Sequence, residues 1–186
     1  MNNKSLQPQT TLDYDKGYKW LHWLMALLVI LMFLAKFGFA QALTDQDKIE
    51  MLIGHSSIGS LLFILFVIRF SKRFILKSPR PHHKLNKKVS KIAKINHLAL
   101  YMLLFYVPVT GYLSARVHEL PVYWFGKINL SHLVNHQNSN FDLLRYLHEL
   151  GVNMLIILVF VHISAAIYHK VFTNDNVMSS MLPSKK

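Results

Sequence analysis

The sequence predicts an all-α integral membrane protein, a four-helix bundle with both termini in the cytoplasm. Three observations predict it. Apolar residues make up 52% of the 186 positions, with a mean hydropathy of +0.26. They gather into four long stretches, about 20–40, 52–70, 95–117 and 146–168, each close to the roughly 20 residues that cross a bilayer core. Segments such as LMALLVILMFLA and NMLIILVFVHISAAIY also lack the polar face that a soluble bundle shows at helical period. The length suits one membrane domain over 1–186.

Composition excludes several chemistries. The chain has no cysteine, so disulfides, cysteine-held iron–sulfur clusters and covalent haem attachment are ruled out. The net charge of +12 matters mainly through its distribution. Residues 71–94 hold nine Lys/Arg and no Asp or Glu. A basic stretch can bind nucleic acid. Between membrane spans it marks the cytoplasmic side and meets anionic lipid, so no nucleic-acid partner is expected.

Residues 1–19 are polar and are expected to lie on the membrane surface or move freely. No cleavable signal peptide is expected, because the first apolar stretch is too long for a signal-peptide core. Tyr18, Trp20 and Trp23 cluster at the start of the first span, as an aromatic belt at the headgroups does. His22 lies among them. Lys36, near the far end, is expected to snorkel to the interface.

The connection Gln41–Met51 is short and net acidic. The second span carries His55 one turn inside its start, among Gly54, Ser56, Ser57, Gly59 and Ser60. Small residues allow close helix packing and equally leave room for a flat cofactor. Pro79 and Pro81 break the basic connection, and His82 and His83 are expected to be solvated. The third span has His97 near its inner end, with Pro108 and Gly111 expected to kink it. The connection 118–145 holds Trp124, Gly126, Lys127, His132, His136 and Arg145. His132 and His136 have the spacing of helical metal ligands, but an ordinary polar loop accounts for them.

The fourth stretch organises the rest. His148 and His162 are fourteen residues apart. On an α-helix that is just under four turns, so both imidazoles share a face about 21 Å apart. Ionisable groups in hydrocarbon are costly and mark function by default. With spans alternating in direction, two level pairs follow: His55 with His148 outside, and His22 with His162 inside. An iron porphyrin held between helices by two axial imidazoles needs such pairs, so two haem groups are expected. A closed zinc site needs more ligands than two histidines supply. A site with both axial positions filled suits electron transfer rather than oxygen binding. A non-redox transporter with structural histidines remains open at this point.

The motifs KWLHWLMALLVI (19–30), HSSIGSLLFILFVIRF (55–70), HLALYMLLFYVPVTG (97–111) and LHELGVNMLIILVFVHISAAIYHKVFTNDNVMSSMLP (147–183) cover all four spans in order. As a set they resemble the bacterial cytochrome b561 family, diheme b-type cytochromes of the inner membrane. The resemblance implies axial ligation of two haem b groups by His22, His55, His148 and His162. It also implies an oxidoreductase that takes electrons from superoxide on the periplasmic side and passes them to ubiquinone. The alternative is a carrier or anchor subunit between quinone and another redox protein. His97 and His169 could contact a haem propionate or a quinone carbonyl. Arg69 and Lys94 could pair with inner propionates or anchor helix ends. Arg116, Lys127 and Arg145 could steer a small anion to the outer haem.

Overall fold

The computed structural model describes residues 14–77, 81, 85–131, 140–173 and 175–182. Pro79, His82, His83, His132 and His136 lie outside the described residues. Four long helices carry the chain: α1 (Lys16–Phe39), α2 (Asp45–Phe70), α3 (Lys87–Arg116) and α4 (Phe141–Tyr168). Their most apolar windows have mean hydropathies of 2.0, 2.1, 1.6 and 2.4, so all four are long and apolar enough to cross a membrane.

Each helix begins before its apolar stretch, and in α1, α2 and α3 a side-chain cap sets the start. Asp15 accepts a hydrogen bond from the Tyr18 N–H and starts α1. Thr44 and Asp47 form a reciprocal capping box, so most of the connection 41–51 is the first turns of α2. Asn86 accepts from the Lys88 N–H, and the end of the basic connection is already α3. A wide π turn over Ser71–Ile75 extends α2, and another over His169–Thr173 extends α4. Helix α3 runs through Pro108 without ending.

Helix α1 packs on α2 and α3 packs on α4, with a lighter α2–α3 contact; α4 stands off from α1 and α2 at the level of the backbone. Met25, Leu28, Val29, Leu62 and Phe66 form the buried core between α1 and α2, with Tyr101, Leu104 and Val159 packed against it. Large apolar side chains cover the outside, among them Trp20 at 67% exposed and Phe160 at 71%. In water such a surface would be untenable; in a bilayer it meets lipid.

Two small features close the ends of the bundle. On the side away from the basic connection, a hairpin pairs β1 (Tyr123–Trp124) with β2 (Ile128–Asn129), in the register Tyr123↔Asn129 and Trp124↔Ile128. On the basic side, the segment after α4 folds back onto α1. Lys19 Nζ donates to the Leu182 carbonyl at 2.9 Å, and Trp23 Nε1 donates to the Met181 carbonyl at 2.9 Å.

Candidate functional site

The four histidines come together as two pairs, each from different helices. The outer level lies on the hairpin side: His55 on α2 faces His148 on α4, with ring centres 6.1 Å apart. The inner level lies on the basic side: His22 on α1 faces His162 on α4 at 6.2 Å. The rings in each pair are nearly perpendicular, at 80° and 78°.

Two imidazoles holding one metal from opposite sides, each nitrogen about 2 Å away, have ring centres about 6 Å apart. Both pairs have that separation, and both bridge the gap between α4 and the α1–α2 pair. The donors are imidazoles, which are haem ligands. His55 Nδ1 is also buried with no hydrogen-bond partner among the described residues. The residues present therefore fit an iron porphyrin at either level. No group of three or more His, Cys, Asp or Glu among the described residues could hold a bare metal ion.

The outer level has a built surround. His148 Nδ1 lies 3.0 Å from the Val107 carbonyl, and an Nδ1–H donor there leaves Nε2 free to ligate. Gly111 makes room for this ring, since a Cβ at that position would stand 2.9 Å from His148 Cε1. Gly151 likewise lets the Tyr106 ring pack against α4, where a Cβ would meet it at 2.8 Å. Of the small residues around His55, Gly59 lies against Met32 of α1, whereas a Cβ on Gly54 would enter open space. Ser56 and Ser57 bond to the hairpin. Ser56 Oγ donates to the Tyr123 carbonyl at 2.9 Å, and the Phe125 N–H donates to Ser57 Oγ at 2.8 Å.

The inner level gathers three imidazoles. The His97 ring centre is 5.3 Å from that of His162, closer than His22 is. Arg69 does not reach out as a free cation. Its guanidinium stacks over the Tyr18 ring at 4.0 Å and donates to the Tyr18 carbonyl at 2.9 Å, tying α2 to α1. His169 is engaged in the turn after α4, with Nδ1 at 2.5 Å from Asp175 Oδ2 and Thr173 Oγ1 donating to the same carboxylate at 2.7 Å. Burial pushes the Asp175 carboxyl up, but the bonds from Thr173, His169 and the Val177 N–H outweigh it, and the net direction is down.

Lys36 extends sideways rather than only along the helix: its ammonium donates to Asn153 Oδ1 of α4 at 2.6 Å, a stitch across the α1–α4 gap. On the outer side, Arg145 pairs with Glu149 at 2.9 Å, which offsets its charge. Just beyond α3, the Leu120 N–H donates to His118 Nδ1 at 2.9 Å. Burial, with Arg145 adding to it, holds His118 below the ordinary histidine range. Sequence reasoning missed the hairpin, the Val107 carbonyl and Asn153. Only the Gly126 turn left a signal for the first; the other two are ordinary residues until the helices pack.

The fold and the paired histidines define a helical membrane protein with a cofactor-ready interior at two depths. The chain belongs to the prokaryotic cytochrome b561 family, whose model matches residues 13–184. It is 29% identical to cytochrome b561 homolog 2 of Escherichia coli strain K12, over 87% of this chain and 86% of that protein. It is 27% identical to the probable superoxide oxidase CybB of Yersinia pestis, over 89% and 93%. Cytochrome b561 homolog 1 of Escherichia coli strain K12 is 22% identical over 93% and 98%. The chain is thus a multi-pass electron carrier of the bacterial inner membrane, from a family that binds haem b.

Proposed function

We propose that this chain binds two haem b groups, one between His55 and His148 and one between His22 and His162. We further propose that it moves electrons between a periplasmic donor and ubiquinone. The two haems supply reversible one-electron exchange at iron. The chain's own residues do the rest. His148 is oriented by the Val107 carbonyl, so its free nitrogen faces the gap. Gly111 keeps that ring's seat open. The α1–α2 and α3–α4 pairs carry the imidazoles, and the apolar helices would offer the cofactors a low-dielectric surround in the bilayer. His97 is a further inner contact, placed to serve a propionate or a quinone carbonyl beside His162. His169, whose Nδ1 is held by Asp175, keeps its Nε2 for the same kind of contact, a propionate or a quinone carbonyl.

The observation that carries this reading is the repeated 6 Å spacing of two imidazole pairs contributed by different helices. The basic connection is placed in the cytoplasm by its charge. Superoxide is the preferred donor. A relative is named a probable superoxide oxidase, and the exposed cations Arg116 and Lys127 lie on the outer side, where they would attract a small anion.

The test is a redox visible spectrum of the detergent-purified protein with its haem-to-protein ratio. Two b-type haems are expected. One should be lost in His55→Ala or His148→Ala, and the other in His22→Ala or His162→Ala. A wild-type protein without haem would sink the proposal. With two haems in place, superoxide-dependent ubiquinone reduction separates the oxidase from a carrier serving another redox protein, which would show little of it.

A further inference from the structure

We infer that the indole N–H of Trp124 is the outer level's hydrogen-bond donor, serving an oxygen acceptor bound beside His55 and His148. The inference rests on the two-haem proposal and adds a recognition element to it. Trp124 sits on the hairpin, and the hairpin is docked onto the two residues that follow His55. Ser56 holds the Tyr123 carbonyl and Ser57 holds the Phe125 N–H, the residues on either side of Trp124. Val122, at the root of the hairpin, is only 2% exposed; its carbonyl accepts from the Leu130 N–H at 2.7 Å.

The turn carries strain that this docking sustains. Phe125 has φ of +47° and Gly126 φ of +67°, and the Lys127 N–H closes the turn onto the Trp124 carbonyl at 3.0 Å. Glycine adopts such values freely, whereas phenylalanine rarely does. Strain of this kind persists where the surroundings over-determine it, and it clusters at functional sites. The Ser57 bond to the Phe125 N–H is that over-determination, and its effect is to fix Trp124.

Against this fixed frame, Trp124 Nε1 is buried without a hydrogen-bond partner among the described residues. Buried polar groups in folded proteins are nearly always paired, and each exception asks for a partner. Among the described residues, the other unpaired buried side-chain atoms are His55 Nδ1, on the residue just before the docking serines, Arg73 Nε and Asn96 Oδ1. Asn96 adjoins His97 of the inner level. Two of these atoms thus lie on or next to a histidine of the levels, His55 itself and Asn96 beside His97. An indole is a donor only, so what completes Trp124 is an acceptor. Its chemistry is an oxygen: a carboxylate carried by the cofactor, or the oxygen of a quinone or small oxygen anion arriving from outside.

Trp124→Phe keeps the ring and removes the N–H. It is to be compared with wild type by potentiometric titration of both haems without substrate, and then by KM and kcat. If the acceptor belongs to the cofactor, the midpoint of the haem that His148→Ala removes shifts, and the other midpoint stays. If the acceptor arrives from outside, both midpoints stay and KM rises severalfold with kcat little changed. Trp124→His, which restores a ring N–H, should recover either property. Should Trp124→Phe lose the outer haem altogether, recovery of that haem in Trp124→His supports the inference, and loss in both variants overturns it. Unchanged midpoints with unchanged KM also overturn it, as does a shift confined to the inner haem. A wild-type protein without haem would instead remove the parent proposal, and this one with it.

Discussion

The two histidine levels solve one geometric problem by different means. At the outer level the ring of His148 is seated by backbone and by absence. The Val107 carbonyl takes one nitrogen, and Gly111 withholds a Cβ that would collide with the ring. A hairpin then docks on Ser56 and Ser57, the two residues that follow His55. At the inner level neither His22 nor His162 has a comparable backbone anchor among the described residues, and a third imidazole, His97, crowds in instead. Cations and aromatics surround this level, with Arg69 clamped over Tyr18 and the C-terminal segment strapped onto α1. The outer level is shaped by sterics, the inner by polar and charged side chains. Sterically seated ligands tolerate no added volume, whereas polar surrounds tolerate conservative change, so the two levels should break differently.

The largest effect is expected from Gly111→Leu. The first carbon alone would meet His148 at 2.9 Å. Overpacking of this kind costs about 1–3 kcal/mol. It should displace the ligand, so that the haem-to-protein ratio falls by half with only the inner haem's spectrum remaining. Retention of both haems would remove the steric account of the outer level.

Next comes the hairpin. Ser57→Ala removes the acceptor for the Phe125 N–H, a loss of about 1 kcal/mol for a net hydrogen bond. Hydrogen exchange over 122–131 should speed up, while exchange in the C-terminal segment stays as it was. Equal acceleration in both segments would mean that the two ends are coupled.

Acid should separate the ends by pH. His118 on the outer side has a folded value below its ordinary 6.5, so the folded state binds fewer protons than the unfolded one. Its contribution is complete above about 6.5 and is lost as pH falls through the depressed value. Asp175 on the inner side is also depressed, but from 3.8, so its contribution survives until pH falls through the carboxylate range. Limited proteolysis between pH 7 and pH 3 should therefore open the outer connection first and the C-terminal turn later. The reverse order would contradict these assignments.

The smallest effect is expected at the strap. Trp23→Phe removes the bond to the Met181 carbonyl, which lies at an exposed position. It should lower the melting temperature by only the equivalent of about 0.5 kcal/mol, leaving both haems bound. Loss of the inner haem would show that the strap helps to hold that level.

Much of this molecule was legible before folding, and particular residues show why. Four apolar stretches of bilayer length announce four helices whatever their partners, because hydrocarbon thickness and helix rise are constants. The fourteen-residue interval from His148 to His162 puts two imidazoles on one face by helix geometry alone. Alternating span direction then levels His55 and His22 with them, and the observed ring separations of 6.1 and 6.2 Å agree with that arithmetic. Charge on the basic connection, being a local count, is equally readable.

Helix starts were less legible, since hydropathy reports the membrane and not the hydrogen-bonded turns outside it. Asp15, Thr44 and Asn86 extend the helices through side-chain caps. Lys36 illustrates the limit from another direction: one helix predicts snorkelling, but the approach of α4 supplies Asn153. The sequence by itself determined the spans, their alternation and the depth of each histidine, because all three follow from local periodicity. Only the tertiary structure decided that Val107 orients His148, that Gly111 and Gly151 are spaces for neighbours' rings, and that Ser57 holds a strained Phe125 against α2. Those relations join residues far apart in the chain, and no local period carries the position of a partner.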